Sequence, residues 1–151
     1  MIENIKIVKM NETHIDKIAL IEKQNFSKPW SKQNLSEELK NKTANFFVAE
    51  DKNNVYGYIG MHVIKDEAYI ANIAVEKINQ NKKIGTKLLN YVLKFGKENK
   101  FNFITLEVRT SNLIARKFYE ANGFKQVGAR KNFYNDPKED AQILTYYFKE
   151  D

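Results

Sequence analysis

Cysteine is missing from this chain of 151 residues, and its absence excludes a group of mechanisms. Without a thiol there are no disulfides, no thiolate metal ligands and no cysteine nucleophile. Histidine is scarce as well, since His14 and His62 are the only two. That leaves little material for a Ser-His-Asp triad or a multi-histidine metal site. We expect His14 at the surface, His62 packed within a strand, and no bound metal.

Long apolar runs are also lacking. No run approaches the roughly 20 residues that span a bilayer. The N-terminal stretch MIENIKIVKM alternates polar and apolar residues, unlike the continuous apolar core of a secretory signal. We therefore expect a cytoplasmic protein without a membrane partner. Hydrophobic residues still make up 42% of the chain, enough for one core, and the length predicts a single domain over residues 1–151.

Helical and strand patterns alternate along the chain. Helices are predicted at 12–24, from Ser31 to about Lys40, at 84–98 and at 112–121, where Asn122-Gly123 provides a stop. Strands are predicted at 4–9, 45–50, 55–63, 67–75, 102–108, 124–130 and 141–148. A strand-helix-strand unit between antiparallel hairpins implies a mixed α/β (α+β) chain with helices flanking a mixed sheet.

Positive charge is concentrated in the middle of the chain. The net charge is +6, and residues 51–100 hold nine lysines against five acidic residues. The basic turn 80–86, with the sequence QNKKIGT, lies between a predicted strand and the start of a predicted helix. A helix start presents free N–H groups and a positive dipole end, which suits a pyrophosphate. A solvated lysine-rich surface would have the same composition, so this turn alone leaves both interpretations open.

Glu107 ends an otherwise apolar strand. Along 101–108, Phe103, Thr105 and Glu107 share one face, and the aliphatic residues share the other. A carboxylate in this position lies either in a cleft or in a salt bridge with a neighbour such as Arg109 or a lysine. Both interpretations remain open from the sequence.

Asn112 and Tyr119 lie on the helix that follows. Helical spacing predicts a core stripe of Ile114, Phe118 and Ala121. Tyr119 then falls outside that stripe, on the side of Asn112 and Ala115, where it could reach a ligand. An ordinary half-buried tyrosine is the alternative.

Several stretches of the chain together resemble the GNAT superfamily of acyl-CoA N-acyltransferases, and within it the bacterial ribosomal-protein-alanine N-acetyltransferases. The resemblance covers roughly residues 5–148. The matching stretches are FSKPWS at 26–31, EAYIANIAV at 67–75, QNKKIG at 80–85, LEVRTSN at 106–112, FYEANGF at 118–124 and ARKNFYNDPKEDA at 129–141.

The resemblance implies a GNAT fold, with a mostly antiparallel sheet and helices on both faces, and an acetyltransferase that uses acetyl-CoA and no metal. The implied cofactor-binding residues are Ile73, Ala74, Val75, Asn81, Lys82, Lys83, Ile84, Gly85, Thr86 and Asn112. It also implies that Glu107 is the general base and Tyr119 the general acid. The implied walls of the acceptor groove are Phe26, Trp30, Phe133 and Tyr134.

The implied acceptor is the N-terminal α-amine of a protein, in particular the N-terminal alanine of a ribosomal protein. Because the chain has no cysteine, direct transfer in a ternary complex is the simplest mechanism. A GNAT enzyme acting on a small amine is one alternative. A basic module that binds RNA or the ribosome without catalysis is another, but no recognisable RNA-binding motif supports it. Direct nucleic-acid binding is therefore not expected.

Lys83 departs from the family pattern, which has a glycine at this position of the basic turn. A positive φ would favour glycine, and lysine would then cost energy. Because Gly85 is kept and the helical pattern begins at Ile84, we expect Lys83 to have a helical φ. Its ammonium group would then add a cation beside the phosphates.

Overall fold

The computed structural model describes residues 4–149, and within that range it contains seven strands and four α-helices. The strands are β1 (Lys6–Lys9), β2 (Ala44–Glu50), β3 (Val55–Ile64), β4 (Glu67–Val75), β5 (Phe103–Arg109), β6 (Lys125–Asn135) and β7 (Lys138–Tyr147). The helices are α1 (Ile15–Asn25), α2 (Lys32–Leu39), α3 (Ile84–Glu98) and α4 (Leu113–Ala121). Across residues 4–149, no helix is both long and apolar enough to cross a membrane.

All seven strands form one sheet in the order β1-β2-β3-β4-β5-β7-β6. Only β4 and β5 are parallel, so the expected mixed, mostly antiparallel sheet is confirmed. Their pairing is short and ends at Tyr69 and Thr105. Beyond that point β4 pairs only with β3, and β5 only with β7. The two strands therefore leave a gap between them at the centre of the sheet.

Helices cover both faces of the sheet, as expected. On one face, Leu88 and Val92 of α3 pack against Ile104 and Leu106 of β5 within the larger core, and α4 lies on the same side. On the other face, α1 and α2 bury a smaller core over β2 and β3, which includes Ile18. Burial of these apolar stripes is the main stabilising contribution to both layers.

Most element boundaries agree with the sequence to within one or two residues, and those of β4 and α3 coincide with the prediction. The last two strands are longer than expected, because β6 and β7 continue pairing as far as Asn135 and Lys138. Residues 131–140 lack the alternation that predicts a strand. Backbone pairing supplies the strand there, with the side chains mostly exposed.

The expected orientation of α4 is wrong. Ile114 is 86% exposed, whereas Tyr119 is only 5% exposed and belongs to the core. The buried side of α4 is the one carrying Ala115, Phe118 and Tyr119, which follow the i, i+3, i+4 spacing. The Tyr119 ring packs against those of Phe118 and Phe124, with centroids 5.2 and 5.3 Å away. This aromatic contact turns Tyr119 inward in place of Ile114.

His14 is also misplaced by the sequence analysis. It is buried, at 4% exposed, and its Nε2 lies 2.5 Å from a carboxylate oxygen of Glu50. Its Nδ1 accepts the backbone N–H of Asn11 as part of a capping box. Both ring nitrogens therefore have structural partners.

Candidate active site

The gap between β4 and β5 exposes main-chain groups of β4. The N–H of Glu76 donates to the carbonyl of Tyr56 on β3 at 2.8 Å. In an antiparallel pair such groups alternate sides, so those of Ala74 also face β3. The main-chain groups of Ile73 and Val75 then face the gap. Asn72 Oδ1 accepts the N–H of Ile73 at 3.1 Å, so a ligand arm lying there could pair with the Ile73 carbonyl and the Val75 N–H. The polar groups of Ala74 are used within the sheet.

Side chains from two other segments hold this end of β4. The Val75 carbonyl accepts Asn25 Nδ2 at 3.0 Å and Gln80 Nε2 at 3.2 Å. Gln80 Nε2 also donates to Asn25 Oδ1 at 2.8 Å. These bonds join the end of α1, the end of β4 and the start of the basic turn.

Two left-handed residues shape the basic turn 80–86. Asn81 has φ of 64° and Lys83 has φ of 66°, so the expectation of a helical φ at Lys83 is wrong. Lys83 is the N-cap of α3 and not part of its first turn. A left-handed lysine costs about 1–2 kcal/mol. Successive N–H groups in such a turn form a concave nest that attracts anions.

The start of α3 continues this anion-attracting surface. The first helical bond runs from the N–H of Lys87 to the carbonyl of Lys83 at 3.0 Å, and no side chain caps the helix. The N–H groups of Ile84, Gly85 and Thr86 thus lack partners within the helix. A Cβ on Gly85 would only reach ordinary contact with Phe118, at 3.7 Å. Internal packing does not require this glycine, so its value would lie in close approach by a ligand.

All four expected acceptor-groove residues line one cavity of about 540 Å³. Its lining comes from the loop after α1, the middle of β4, the end of β5 and the end of β6: Asn25, Phe26, Ser27, Lys28, Trp30, Ala71, Asn72, Arg109, Phe133, Tyr134, Asn135 and Asp136. Asn72 and Arg109 lie on the two strands that diverge. The cavity therefore opens beside the β4–β5 gap.

Arg109 fixes the β6–β7 hairpin against β5. Its guanidinium lies 4.3 Å from the centre of the Tyr134 ring and donates to the carbonyl of Pro137 at 2.8 Å. It also lies 3.3 Å from Glu139 Oε1, while Glu139 Oε2 accepts the backbone N–H of Ser111 at 2.6 Å. Bonding from Ser111, and then from Arg109, lowers the pKa of the Glu139 carboxyl. The hairpin wall is held by a charged network.

Glu107 lies on the same strand face as Arg109, two residues before it. Its Oε2 is 3.2 Å from Nε of Arg130, and about a third of its side chain is exposed. The salt bridge therefore forms with Arg130 of β6, and not with Arg109 or a lysine. Within residues 4–149 the other carboxylate oxygen has no hydrogen-bond partner, which leaves it available to a substrate.

Tyr119 carries a buried phenol with one unused polar atom. Its hydroxyl makes no hydrogen bond within the described chain, but the oxygen keeps some contact with solvent. Burial raises the pKa of Tyr119 well above its usual range. The phenol accordingly keeps its proton at any ordinary pH.

Asn112 is the N-cap of α4. Its Oδ1 accepts the N–H of Ala115 at 3.1 Å, which satisfies one free donor of the helix start. The side chain is exposed. Because the oxygen is used, a cofactor contact would have to come from the Nδ2 donor.

Glu22 and Asn72 are functional candidates that the sequence analysis missed. Glu22 is completely buried and accepts bonds from Trp30, Tyr58 and Asn72. Burial raises the pKa of the Glu22 carboxyl, and the bonds from Trp30 and Tyr58 counteract part of that rise. Glu22 follows Ile18 by one helical turn, so a charge on the apolar side of α1 was the available signal.

Comparison with known proteins identifies the class of this protein. The model of the acetyltransferase (GNAT) family matches residues 15–124. The chain belongs to that family, and its fold is that of an acetyltransferase.

The relatives include enzymes of one particular kind. A Haemophilus ducreyi protein named as a ribosomal protein bS18-alanine N-acetyltransferase is 32% identical, over 90% of this chain and 95% of its own length. A Bacillus subtilis protein with the same name, given as a provisional assignment, is 35% identical over 86% of this chain and 87% of its own. The crystal structure of the Escherichia coli ribosomal-protein-S18-alanine N-acetyltransferase aligns with a TM-score of 0.89 and 26% identity, covering 98% of this chain and 96% of that one.

Proposed function

We propose that this acetyltransferase transfers the acetyl group of acetyl-CoA to the N-terminal α-amine of a protein, in particular to the N-terminal alanine of a ribosomal protein. The observation that carries the proposal is the shared name of relatives that align along nearly the whole chain. The geometry supports it, because a gap suited to a cofactor arm meets a cavity suited to an acceptor. A ribosomal acceptor would make this a cytoplasmic reaction.

The residues around the gap fit acetyl-CoA. The Ile73 carbonyl and the Val75 N–H would pair with the pantetheine arm as an added strand does. The N–H groups of the basic turn and of the first turn of α3 would bind the pyrophosphate, with the exposed lysines of that turn adding positive charge. Asn112 would donate through Nδ2. When bound, acetyl-CoA supplies a thioester whose acyl carbon is open to attack by a neutral amine.

The intrinsic acidity of the acceptor favours a chain terminus. An α-amino group has a pKa of about 7.7–8.0, so roughly 10% of it is neutral at pH 7, whereas a lysine with a pKa of about 10.4 is neutral only about 0.04% of the time. The difference is several hundredfold before any enzyme contact. A single carboxylate is enough to deprotonate the α-amine, which loses its proton more easily than lysine does.

Glu107 and Tyr119 would divide the proton transfers. Glu107 accepts the proton that the amine loses, directly or through a water molecule, as the nitrogen–carbon bond forms. Tyr119 donates its phenolic proton to the sulfur as the carbon–sulfur bond breaks. Since the chain has no cysteine, the acetyl group passes directly from donor to amine. Burial raises the pKa of Tyr119, so the phenol is protonated at neutral pH and can act as a donor and not as a base.

A peptide panel tests the proposal. The enzyme and acetyl-CoA are incubated with a ribosomal-protein peptide that begins with alanine and contains an internal lysine, and mass spectrometry locates the acetyl group. We expect acetylation of the α-amine alone, and none when that amine is blocked beforehand. Polyamines and aminoglycosides, assayed in parallel, should be poor acceptors.

Three results would contradict the proposal. Faster turnover of a polyamine or aminoglycoside would indicate a small-amine enzyme. Modification of the internal lysine would indicate a different acceptor geometry. Steeply salt-dependent RNA binding without thermal stabilisation by acetyl-CoA would indicate a binding module.

A further inference from the structure

A buried carboxylate lies behind the acceptor cavity, and the proposed proton transfers do not use it. Glu22, near the end of α1, is 0% exposed. It accepts the backbone N–H of Trp30 at 2.9 Å, the hydroxyl of Tyr58 at 2.8 Å and Nδ2 of Asn72 at 2.8 Å. These donors come from the loop after α1, from β3 and from β4. One carboxylate thus joins three segments of the fold.

Stability alone does not call for a carboxylate at this position. Removing a charged group from water is costly, and replacing buried charges by well-packed apolar side chains is often neutral or stabilising. A carboxylate does supply two acceptor-only oxygens, which match three converging donors. The distinctive contribution of Glu22 is therefore that it fixes the orientation of its hydrogen-bond partners.

The orientation of Asn72 depends on Glu22. Asn72 Nδ2 donates to Glu22 and to the Tyr58 hydroxyl, the latter at 3.1 Å. Its Oδ1 accepts the N–H of Ile73 at 3.1 Å. The oxygen and the NH₂ group of the Asn72 amide therefore both have partners. If the amide were flipped, its NH₂ group would point at the N–H of Ile73. Only an acceptor at residue 22 is compatible with this arrangement.

The same network reaches both walls of the active site. Asn72 lines the acceptor cavity, and Ile73 faces the β4–β5 gap. Through the N–H of Trp30, Glu22 also fixes the loop that carries Phe26 and Trp30, two further cavity residues. A change in this buried network therefore alters the shape of the acceptor cavity.

We propose that Glu22 is a positioning residue, which orients the Asn72 amide and the loop from Phe26 to Trp30 so that the acceptor amine is held beside the β4–β5 gap. Glu22 does not touch the acceptor, because it has no exposed surface. The proposal rests on the proposed acceptor reaction for its kinetic consequence. Its structural part, the orientation of Asn72, can be measured without any acceptor.

The proposal can be tested by swapping the hydrogen-bond donor and acceptor groups of Glu22 and Asn72. Glu22→Gln replaces one of the two acceptor oxygens by an NH₂ group, so the donors of Trp30, Tyr58 and Asn72 are left with a single oxygen. Asn72→Asp places a second carboxylate against Glu22. The double variant, Glu22→Gln with Asn72→Asp, restores a donor facing an acceptor and keeps the N–H of Ile73 satisfied. Ile18→Val is the matched control. It trims a side chain buried in the same core, one turn before Glu22, and leaves every bond of the network in place.

We expect each single exchange to raise the KM for the acceptor peptide about tenfold or more, the size expected for one lost buried hydrogen bond. The KM for acetyl-CoA should change less than about threefold, and Ile18→Val should change neither. The double variant should lie closer to the wild type than either single exchange. In solution NMR, the Asn72 side-chain NH₂ signal, assigned by its loss in Asn72→Asp, should exchange with water about tenfold faster in Glu22→Gln.

The proposal is overturned if Glu22→Gln leaves unchanged both the exchange of the Asn72 NH₂ protons and that of the Trp30 backbone N–H. It is also overturned if the acceptor KM of Glu22→Gln matches that of Ile18→Val, or if the two single effects simply add in the double variant. If wild-type enzyme acetylates no α-amine, the proposed function fails. The NH₂ exchange of Asn72 then still decides whether Glu22 orients it.

Discussion

The two sides of the active site are built in different ways. The donor side, comprising the β4–β5 gap, the basic turn 80–86 and the start of α4, uses main-chain groups left free by local geometry. The acceptor side, comprising the loop after α1 and the β6–β7 hairpin, is held by side chains far apart in the sequence. Glu22 and Asn72 are 50 residues apart, and Arg109 and Glu139 are 30 apart.

This difference separates the expected effects of mutation. Changes on the donor side should alter the affinity for acetyl-CoA, because the free N–H groups and lysines lie there. Changes on the acceptor side should alter the KM of the peptide and leave acetyl-CoA binding intact. Glu107 and Tyr119 are proposed to move protons and not to bind either substrate, so their loss should reduce turnover with both affinities preserved.

The largest effect is expected for Glu107→Gln. Loss of a general base reduces turnover by about 10²–10⁴-fold, and the uncharged amide keeps the size of the side chain. Single-turnover acetylation of the alanine peptide measures the loss, and calorimetry should give an unchanged Kd for acetyl-CoA. Arg130→Gln is the control, since it breaks the exposed ion pair but keeps the carboxylate. Wild-type turnover in Glu107→Gln would remove this residue from the mechanism.

Tyr119→Phe should reduce turnover by about 10²-fold, because the sulfur would then leave without its proton donor. Stability should change little, since the hydroxyl makes no hydrogen bond within the described chain. In the wild type, burial raises the pKa of Tyr119 above the ordinary value of 10.0, so the donor form persists at alkaline pH. Activity should therefore rise as the α-amine deprotonates near pH 7.7–8.0, with no fall below about pH 10. Wild-type turnover in Tyr119→Phe would contradict the role as proton donor, and a fall below pH 10 that disappears in Tyr119→Phe would contradict the raised pKa.

Local signals explain what could be predicted from the sequence. The boundaries of α3 and β4 follow from apolar periodicity between clear breaks, and Ser31, Asn112 and Gly123 mark helix ends through their own chemistry. The order of helices and strands and the basic turn 80–86 depend on such signals, whereas the other donor-side contacts were implied by the family resemblance. Four residues of the acceptor cavity came from the family resemblance and not from periodicity.

The errors arise where tertiary contacts override local preference. Tyr119 turns inward because other aromatic rings surround it, which the spacing of α4 alone does not reveal. Lys83 adopts a left-handed φ because the turn requires it, whatever residue stands there. The partner of Glu107 lies two strands away in the sheet, on β6. Only the partner of Glu107 is distant in sequence, whereas Phe118 and Phe124 lie close to Tyr119 along the chain and the turn at Lys83 is local.

On the acceptor side, Arg109→Ala should raise the peptide KM about tenfold. The change removes the cation over Tyr134 and the bonds to Pro137 and Glu139, and charge-assisted hydrogen bonds contribute about 1.5–3 kcal/mol each when buried. Because Arg109 and Glu139 are partly exposed, each of these bonds contributes less than that here. The KM for acetyl-CoA should stay within about twofold. An equal rise in both KM values would show that the two sides are not separable at this strand.

On the donor side, Asn112 has two roles that paired variants can separate. Asn112→Ala removes the N-cap and should lower the free energy of unfolding by about 1 kcal/mol. Asn112→Ser keeps a capping oxygen but lacks the Nδ2 donor. If that donor contacts the cofactor, both variants raise the Kd of acetyl-CoA, and only Asn112→Ala is destabilised. Normal affinity in Asn112→Ser would limit Asn112 to capping.

The smallest effect is expected for Lys83→Gly. Glycine relieves the left-handed strain of about 1–2 kcal/mol but gives the unfolded chain more freedom, which offsets about 0.4–1 kcal/mol of that gain. We expect a net stabilisation between zero and about 1.6 kcal/mol by urea unfolding.

Lys82→Gly is the matched control, because it removes the same charge from the same turn at a residue without a positive φ. It should destabilise the fold slightly. Both variants should weaken acetyl-CoA binding by a similar small factor that disappears at high salt. Lys83→Gly could instead weaken acetyl-CoA binding much more than Lys82→Gly. The Lys83 ammonium group would then contribute specifically to phosphate binding, which would explain why a lysine is kept despite its backbone strain. Equal effects would leave Lys83 as a strained residue whose charge has no special position.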